Sequence, residues 1–126
     1  MVNRYLSIII SVFVILSANS IYGQVKKNID FKPGQKSMVV SGRLTRGDAR
    51  DHYSIELKKG QRLYIQIISS NRTLGFNLDD PMANKIGSPG DEEWYWEDEV
   101  TSDGVYWIEV YALKGIGKYK MIVKLK

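Results

Sequence analysis

The stretch GRLTRGDARDHYSIELKKGQRLYIQIIS, residues 42–69, decides the fold. Tyr53, Ile55 and Leu57 alternate with polar residues, and a period of two is typical of a half-buried strand. Gly60 lies where a four-residue loop needs a left-handed backbone, which a residue without a Cβ adopts at little cost. The pattern predicts two antiparallel strands joined as a hairpin, and their shared apolar face must be covered by the rest of the chain. The apolar residues of the second strand are Leu63, Ile65 and Ile67.

The same alternation recurs before and after this stretch. Residues 24–36 suggest an edge strand or an extended arm, residues 38–44 a short strand interrupted at Ser41 and Gly42, and residues 45–52 a charged loop. No stretch of residues 24–126 has apolar residues at helical spacing over three turns. The sequence therefore predicts an all-β protein, an antiparallel, jelly-roll-like β-sandwich of about eight short strands. The inward residues of the last two strands are Tyr106, Ile108, Val110, Tyr119, Met121, Val123 and Leu125.

The N-terminal residues 1–23 have the organisation of a secretory signal peptide. Arg4 precedes an eleven-residue apolar run, residues 6–16, and a short polar segment follows. The run is too short to cross a bilayer of about 30 Å as a helix, which argues against the alternative of a retained anchor. We expect cleavage near residues 23–24, a single domain of residues 24–126, a periplasmic or secreted location and no membrane partner after cleavage. The chain has no cysteine, so disulfides cannot stabilise it.

Charge is distributed unevenly along the chain. Without Arg4, 17 basic and 14 acidic residues remain, a net charge of +3. Residues 91–103 hold seven acids and no base, whereas residues 115–126 hold four lysines and no acid. A nucleic-acid-binding surface clusters bases without such an acidic block, so we expect no nucleic-acid partner.

The residues that enzymes use are sparse, and we expect no catalytic activity, cofactor or metal. His52 is the single histidine and has no cysteine or serine elbow to act with. Glu93 and Glu97 are better explained as an acidic sheet edge than as a glycosidase pair. The acids from Asp79 onward lack the spacing of a calcium loop.

Aromatic residues offer one possible binding face. Trp94 and Trp96 lie on one side of their predicted strand, and Trp107 and Tyr111 share the outward side of theirs. Exposed aromatic rings suit both glycan stacking and protein interfaces. A domain of this size also needs large side chains in its core, so we expect one tryptophan pair to be buried.

Short motifs in the chain resemble the bacterial pre-peptidase C-terminal family of β-sandwiches. They are the Ser41-Gly42 pair, a charged loop with Asp48, the Tyr53-x-Ile and KKGQ segments, and SDGVYWIEV at residues 102–110. Within that fold the chain resembles the small periplasmic inhibitors of g-type (goose-type) lysozyme, which are also single secreted domains. In those inhibitors a longer, arginine-rich loop before the last strand enters the enzyme's cleft. Here residues 112–117 are short, and Lys114 is their one charged residue.

The resemblance implies a secreted binding module that blocks the cleft of a g-type lysozyme with its surface loops. The residues expected to contact the enzyme are Arg46, Asp48, Arg50 and Lys114. The alternative is a free-standing module that binds glycan or an envelope protein through its exposed aromatics. Arg46-Gly47-Asp48 also matches an integrin-binding tripeptide, but a tight turn uses the same residues and is the preferred interpretation.

The signal-peptide interpretation predicts the size of the exported protein. Intact-mass measurement of the protein recovered outside the cytoplasm should give a chain that begins near Gln24. A mass that still includes residues 1–23 would show that the apolar run is retained as an anchor.

Overall fold

In a computed structural model, residues 25–70, 73–87 and 95–126 are described, and they form nine strands and no α-helix. The signal-peptide prediction lies outside these residues. Within them, no helix is long or apolar enough to cross a membrane. The strands are β1 (Lys26–Ile29), β2 (Ser37–Leu44), β3 (Arg50–Leu57), β4 (Arg62–Ser69), β5 (Leu74–Asp79), β6 (Lys85–Gly87), β7 (Tyr95–Glu99), β8 (Gly104–Ala112) and β9 (Gly117–Leu125).

Two sheets pack face to face. Sheet A has the strand order β1-β3-β8-β5-β6, and sheet B has the order β2-β9-β4-β7. Strands β2 to β9 have the strand order of an eight-stranded jelly roll, and β1 is an additional edge strand that pairs in parallel with β3. All other pairs are antiparallel. The predicted all-β, jelly-roll-like sandwich is therefore confirmed.

Strands β3 and β4 are not a hairpin, and that prediction is wrong. β3 pairs with β1 and β8, whereas β4 pairs with β7 and β9 in the opposite sheet. The loop 58–61 crosses between the sheets, and the apolar faces of the two strands meet across the sandwich instead of lying side by side. Gly60 has φ 95°, so its predicted left-handed backbone is confirmed. Alternation alone cannot separate the two arrangements, because both bury every second residue.

Two predicted boundaries also need correction. β2 is continuous through Ser41 and Gly42, because Gly42 makes room for a neighbouring ring rather than breaking the strand. A Cβ at Gly42 would overlap the side chain of Tyr119, which lies opposite in β9. β3 begins at Arg50, so the charged loop covers residues 45–49 rather than 45–52.

The predicted inward residues fill the space between the sheets. Those of β3, β4 and β8 are at most 3% exposed, as are three of the four in β9, while Leu125 is half-buried at the end. Burying such side chains contributes roughly 1.5–3 kcal/mol each, which lets the sandwich fold without disulfides.

A chain of hydrogen bonds crosses this apolar core. The Tyr119 hydroxyl donates to Asp51 Oδ2 at 2.6 Å, and the hydroxyls of Tyr53 and Tyr119 are 2.5 Å apart. The backbone N–H of Val25 donates to Asp51 Oδ1 at 3.0 Å. Burial, together with the bonds to Asp51 and Tyr53, raises the pKa of Tyr119 well above its usual range, so its phenol remains a donor. Asp51 is 1% exposed, and its hydrogen bonds offset the cost of burying a carboxylate.

Removal of the Tyr119 hydroxyl should therefore destabilise the fold. Tyr119→Phe leaves Asp51 Oδ2 without its donor, and we expect a loss of about 1–3 kcal/mol in the free energy of unfolding. The matched control is Tyr64→Phe, since the Tyr64 hydroxyl donates to Gln66 on the outer face of sheet B. Urea unfolding of both variants measures the difference. Equal stabilities would mean that the buried chain contributes nothing.

Candidate partner-binding surfaces

Three loops lie at one end of the sandwich. β2 ends opposite the start of β9, β3 starts opposite the end of β8, and β5 also starts opposite the end of β8. The backbone N–H groups of Leu113 and Lys114 donate to the carbonyl of Thr73 at 2.8 and 3.0 Å, which ties two of these loops together. We call residues 45–49, Thr73 and residues 113–116 the loop end.

Three of the four predicted contact residues lie at the loop end. Arg46 Nε is 3.5 Å from Asp48 Oδ1, and the two side chains are 66% and 81% exposed. The N–H of Ala49 donates to the carbonyl of Arg46 at 3.1 Å, so the Arg-Gly-Asp segment forms the turn favoured from sequence. Lys114 is exposed on the adjacent loop.

Arg50 has a different position from the other three. It is the first residue of β3, and its Nη1 donates to Glu109 Oε1 at 3.1 Å on the outer face of sheet A. Its guanidinium also lies 5.4 Å from the centre of the Tyr111 ring. Two contacts hold this cation to the sheet, so it borders the loop end instead of projecting from it.

Glu109 is the centre of a polar cluster that the sequence analysis missed. Its Oε1 accepts from Arg50 and from Asn77 Nδ2 at 3.3 Å, and its Oε2 is 3.0 Å from His52 Nε2. His52 Nδ1 is buried, and in the described ranges it has no hydrogen-bond partner. The residues come from β3, β8 and β5, three strands whose pairing no local pattern reveals. We call this group the Glu109 cluster.

Trp107 and Tyr111 share the outer face of sheet A with the Glu109 cluster. Trp107 is 41% exposed, while Tyr111 is half-buried beneath Arg50. Trp107 pairs with Ser54 on one side and Asp79 on the other, so polar groups flank its ring. This surface therefore combines one open aromatic ring with carboxylates and a guanidinium.

Trp96 belongs to the other sheet and serves the core. It lies in β7, and its side chain packs against the hydrophobic core. A Cβ at Gly87 would approach its ring to 2.8 Å, which shows how closely the β6 backbone covers it. Trp96 therefore does not share the face of Trp107. Trp94 lies outside the described residues.

Glu97 and Asp80, two of the acidic residues considered for glycosidase or calcium chemistry, have structural partners, while Glu93 lies outside the described residues. Glu97 accepts from Lys126 Nζ and Arg62 Nε, each at 3.1 Å, and these bonds lower its pKa. A lowered pKa suits an ion pair and not a general acid. Asp80 Oδ1 accepts the N–H groups of Met82 and Asn84 at 2.9 Å, which closes a turn. In the part of the chain that the structure describes, no three potential metal ligands converge.

Solved structures with the same architecture include two lysozyme inhibitors and a collagenase domain. PliG of Aeromonas hydrophila, a periplasmic lysozyme inhibitor of g-type lysozyme, has a TM-score of 0.73 at 23% identity over 82% of this chain and 98% of its own. Salmonella Typhimurium PliG has a TM-score of 0.63 at 23% identity, over 84% and 100%. The pre-peptidase C-terminal domain of a Bacillus anthracis collagenase has a TM-score of 0.61 at 20% identity, over 83% and 100%.

The chain has the fold of these proteins. The resemblance noted in the sequence is thus confirmed as a likeness of fold. No family model and no curated protein matches the sequence. Because the identities are 20–23%, the likeness reaches the architecture and not the activity.

The different positions of the two tryptophans predict different effects of truncation. Trp96→Ala removes a ring that packs on the core and should cost about 3–5 kcal/mol of unfolding free energy. Trp107→Ala removes an exposed ring and should change the stability by less than about 1 kcal/mol. Thermal melting of the pair measures this, and a collapsed melt for Trp107→Ala would contradict the assignment of the two faces.

Proposed function

We propose that this protein is an exported, non-enzymatic inhibitor of g-type lysozyme that blocks the enzyme's cleft with its loop end. The observation that carries the proposal is the convergence of loops 45–49 and 113–116 at one end of the sandwich, with Arg46 and Lys114 exposed. The fold shared with the two PliG structures, both named as inhibitors of g-type lysozyme, supports it. Their periplasmic location supports the same compartment for residues 24–126 after removal of residues 1–23.

The chemistry of the contact follows from the charges at this end. Lysozyme clefts contain the carboxylates that cleave the glycosidic bond, and a cation placed between them competes with substrate. Arg46 can form a bidentate pair with a carboxylate, and Asp48 holds its guanidinium in position at 3.5 Å. Lys114 supplies a second cation on a backbone that the bonds to Thr73 restrain. Arg50, which is bound to Glu109, supports the edge of this surface.

A lysozyme panel tests the proposal. Lysis of wall suspensions by goose-, chicken- and invertebrate-type enzymes is followed with stoichiometric protein added. We expect micromolar protein to slow the goose-type enzyme and R46E/K114E to weaken this inhibition roughly tenfold or more. The matched control is K58E/K59E, which makes the same charge change in the loop 58–61 at the opposite end. Unimpeded lysis by the goose-type enzyme with wild-type protein would refute the proposal.

A second candidate function rests on the outer face of sheet A. Trp107 is exposed beside Asp79 and the Glu109 cluster, and a ring flanked by carboxylate and amide groups suits a sugar. The panel distinguishes the two functions when insoluble peptidoglycan is added as a binding target. Inhibition that survives Trp107→Ala supports the loop end. Peptidoglycan binding that this substitution abolishes, without inhibition by the wild type, supports the glycan module.

A further inference from the structure

One half of the outer face of sheet B carries a group of exposed cations, all of them on β2 and β9. Arg43 in β2 pairs with Lys118 in β9, and Lys120 and Lys124 follow on the same side of β9. All four side chains are exposed, and within residues 25–70, 73–87 and 95–126 none of them forms an ion pair. Lys124 lies 5.3 Å from the centre of the Tyr64 ring. Within the described residues, no carboxylate competes with a partner for these four cations.

Exposed aliphatic side chains lie among these cations. Val39 is 59% exposed and Ile68 is 48% exposed, and Ile68 pairs directly with Lys120. A shallow pocket of about 520 Å³ opens beside Ile68, and its lining includes Lys118, Lys120 and three serines. The surface is thus both cationic and apolar, and we call it the cationic face: Val39, Arg43, Ile68, Lys118, Lys120 and Lys124.

None of the ion pairs formed by the described residues involves this face. On the other half of sheet B, Glu97 is already paired with Arg62 and Lys126. On sheet A, Arg50 is paired with Glu109. Other lysines without an ion pair in the described residues, such as Lys26, Lys58 and Lys114, are scattered over other parts of the molecule. The cationic face differs because four such cations lie together on the neighbouring strands β2 and β9.

We propose that the cationic face docks on the surface of a bilayer that contains anionic phospholipid. Lysine and arginine are attracted to the negative headgroups, and aliphatic side chains gain by burial at the headgroup boundary. A second copy is a poor occupant, because identical faces would bring like charges together. A soluble polyanion would use the cations but would gain nothing from Val39 and Ile68. This docking is independent of lysozyme inhibition. It differs from the expectation of no membrane partner after cleavage, because that expectation rested only on the loss of residues 1–23.

Co-sedimentation with lipid vesicles tests the docking. The purified exported protein is mixed with phosphatidylcholine vesicles, with and without phosphatidylglycerol, at low and at physiological ionic strength. We expect binding only when phosphatidylglycerol is present, and weaker binding in the higher salt. Absence of pelleting in low salt, or equal binding to both vesicles, would overturn the proposal.

Two sets of variants locate the contact. In R43Q/K118Q/K120Q, each lost charge should weaken the apparent affinity roughly fivefold, so the three together give roughly a hundredfold loss. The matched control K26Q/K27Q/K58Q removes three lysines away from the face and should bind as the wild type does. An equal loss in the control would mean that only the net charge matters, which would overturn the proposal.

The second set separates a bilayer from a soluble polyanion. V39S/I68S keeps every charge and should weaken vesicle binding several-fold, while leaving the affinity for inorganic polyphosphate unchanged. Vesicle binding that is insensitive to V39S/I68S, together with tight polyphosphate binding, would identify a soluble polyanion as the partner and contradict docking on lipid.

Discussion

The hydrogen-bond chain through Asp51, Tyr119 and Tyr53 is the constraint on which the sandwich depends. It joins β3 of sheet A to β9 of sheet B inside an otherwise apolar core, so the two sheets pack in one alignment only. Gly42 is required because its missing side chain leaves the space that the Tyr119 ring occupies. The same carboxylate binds the N–H of Val25 and thereby anchors the start of β1. A glycine, two tyrosines and an aspartate that are distant in sequence thus form one unit.

The inward and outward faces of the strands could be predicted from the sequence, but their partners could not. Alternation around Tyr53, Ile65, Ile108 and Met121 identifies the buried face of each strand, since each apolar side chain must leave water wherever its strand pairs. Pairing is a non-local property. The loop around Gly60 has the residues of a hairpin loop, yet it joins strands in opposite sheets. Packing the apolar faces of β3 and β4 against each other across the sandwich lowers the free energy, as pairing the two strands side by side also would.

The loops at the loop end can be predicted from local sequence, whereas the Glu109 cluster cannot. Turn residues such as Gly47 and Gly115 mark loops within a few positions, and a jelly roll brings several of its loops to one end. Asp51 falls within the charged stretch 45–52 that is predicted as a loop, whereas the structure buries it at an inward position of β3. The signal for this burial in the sequence is the pair of inward tyrosines, Tyr53 and Tyr119, because the hydroxyl of a buried phenol needs an acceptor. The cluster around Glu109 needs the register of three strands.

The fold itself explains why a lysozyme inhibitor and a collagenase domain are both similar to this chain. Packing constrains the inward positions and the few residues, such as Gly42, that make room for them, while the outer positions and loops vary freely. Low identity with the same architecture is the expected result, and function must be sought in what packing leaves unconstrained. On sheet A the central carboxylate is saturated by Arg50, His52 and Asn77, which stabilises the sheet and reduces the charge available to a partner. At the loop end Arg46 is paired with Asp48, and Lys114 is exposed. On sheet B, four exposed cations form no ion pair within the described residues: Arg43, Lys118, Lys120 and Lys124. Because these cations have no part in the core, packing does not constrain them, and a partner could use them without a cost to the fold.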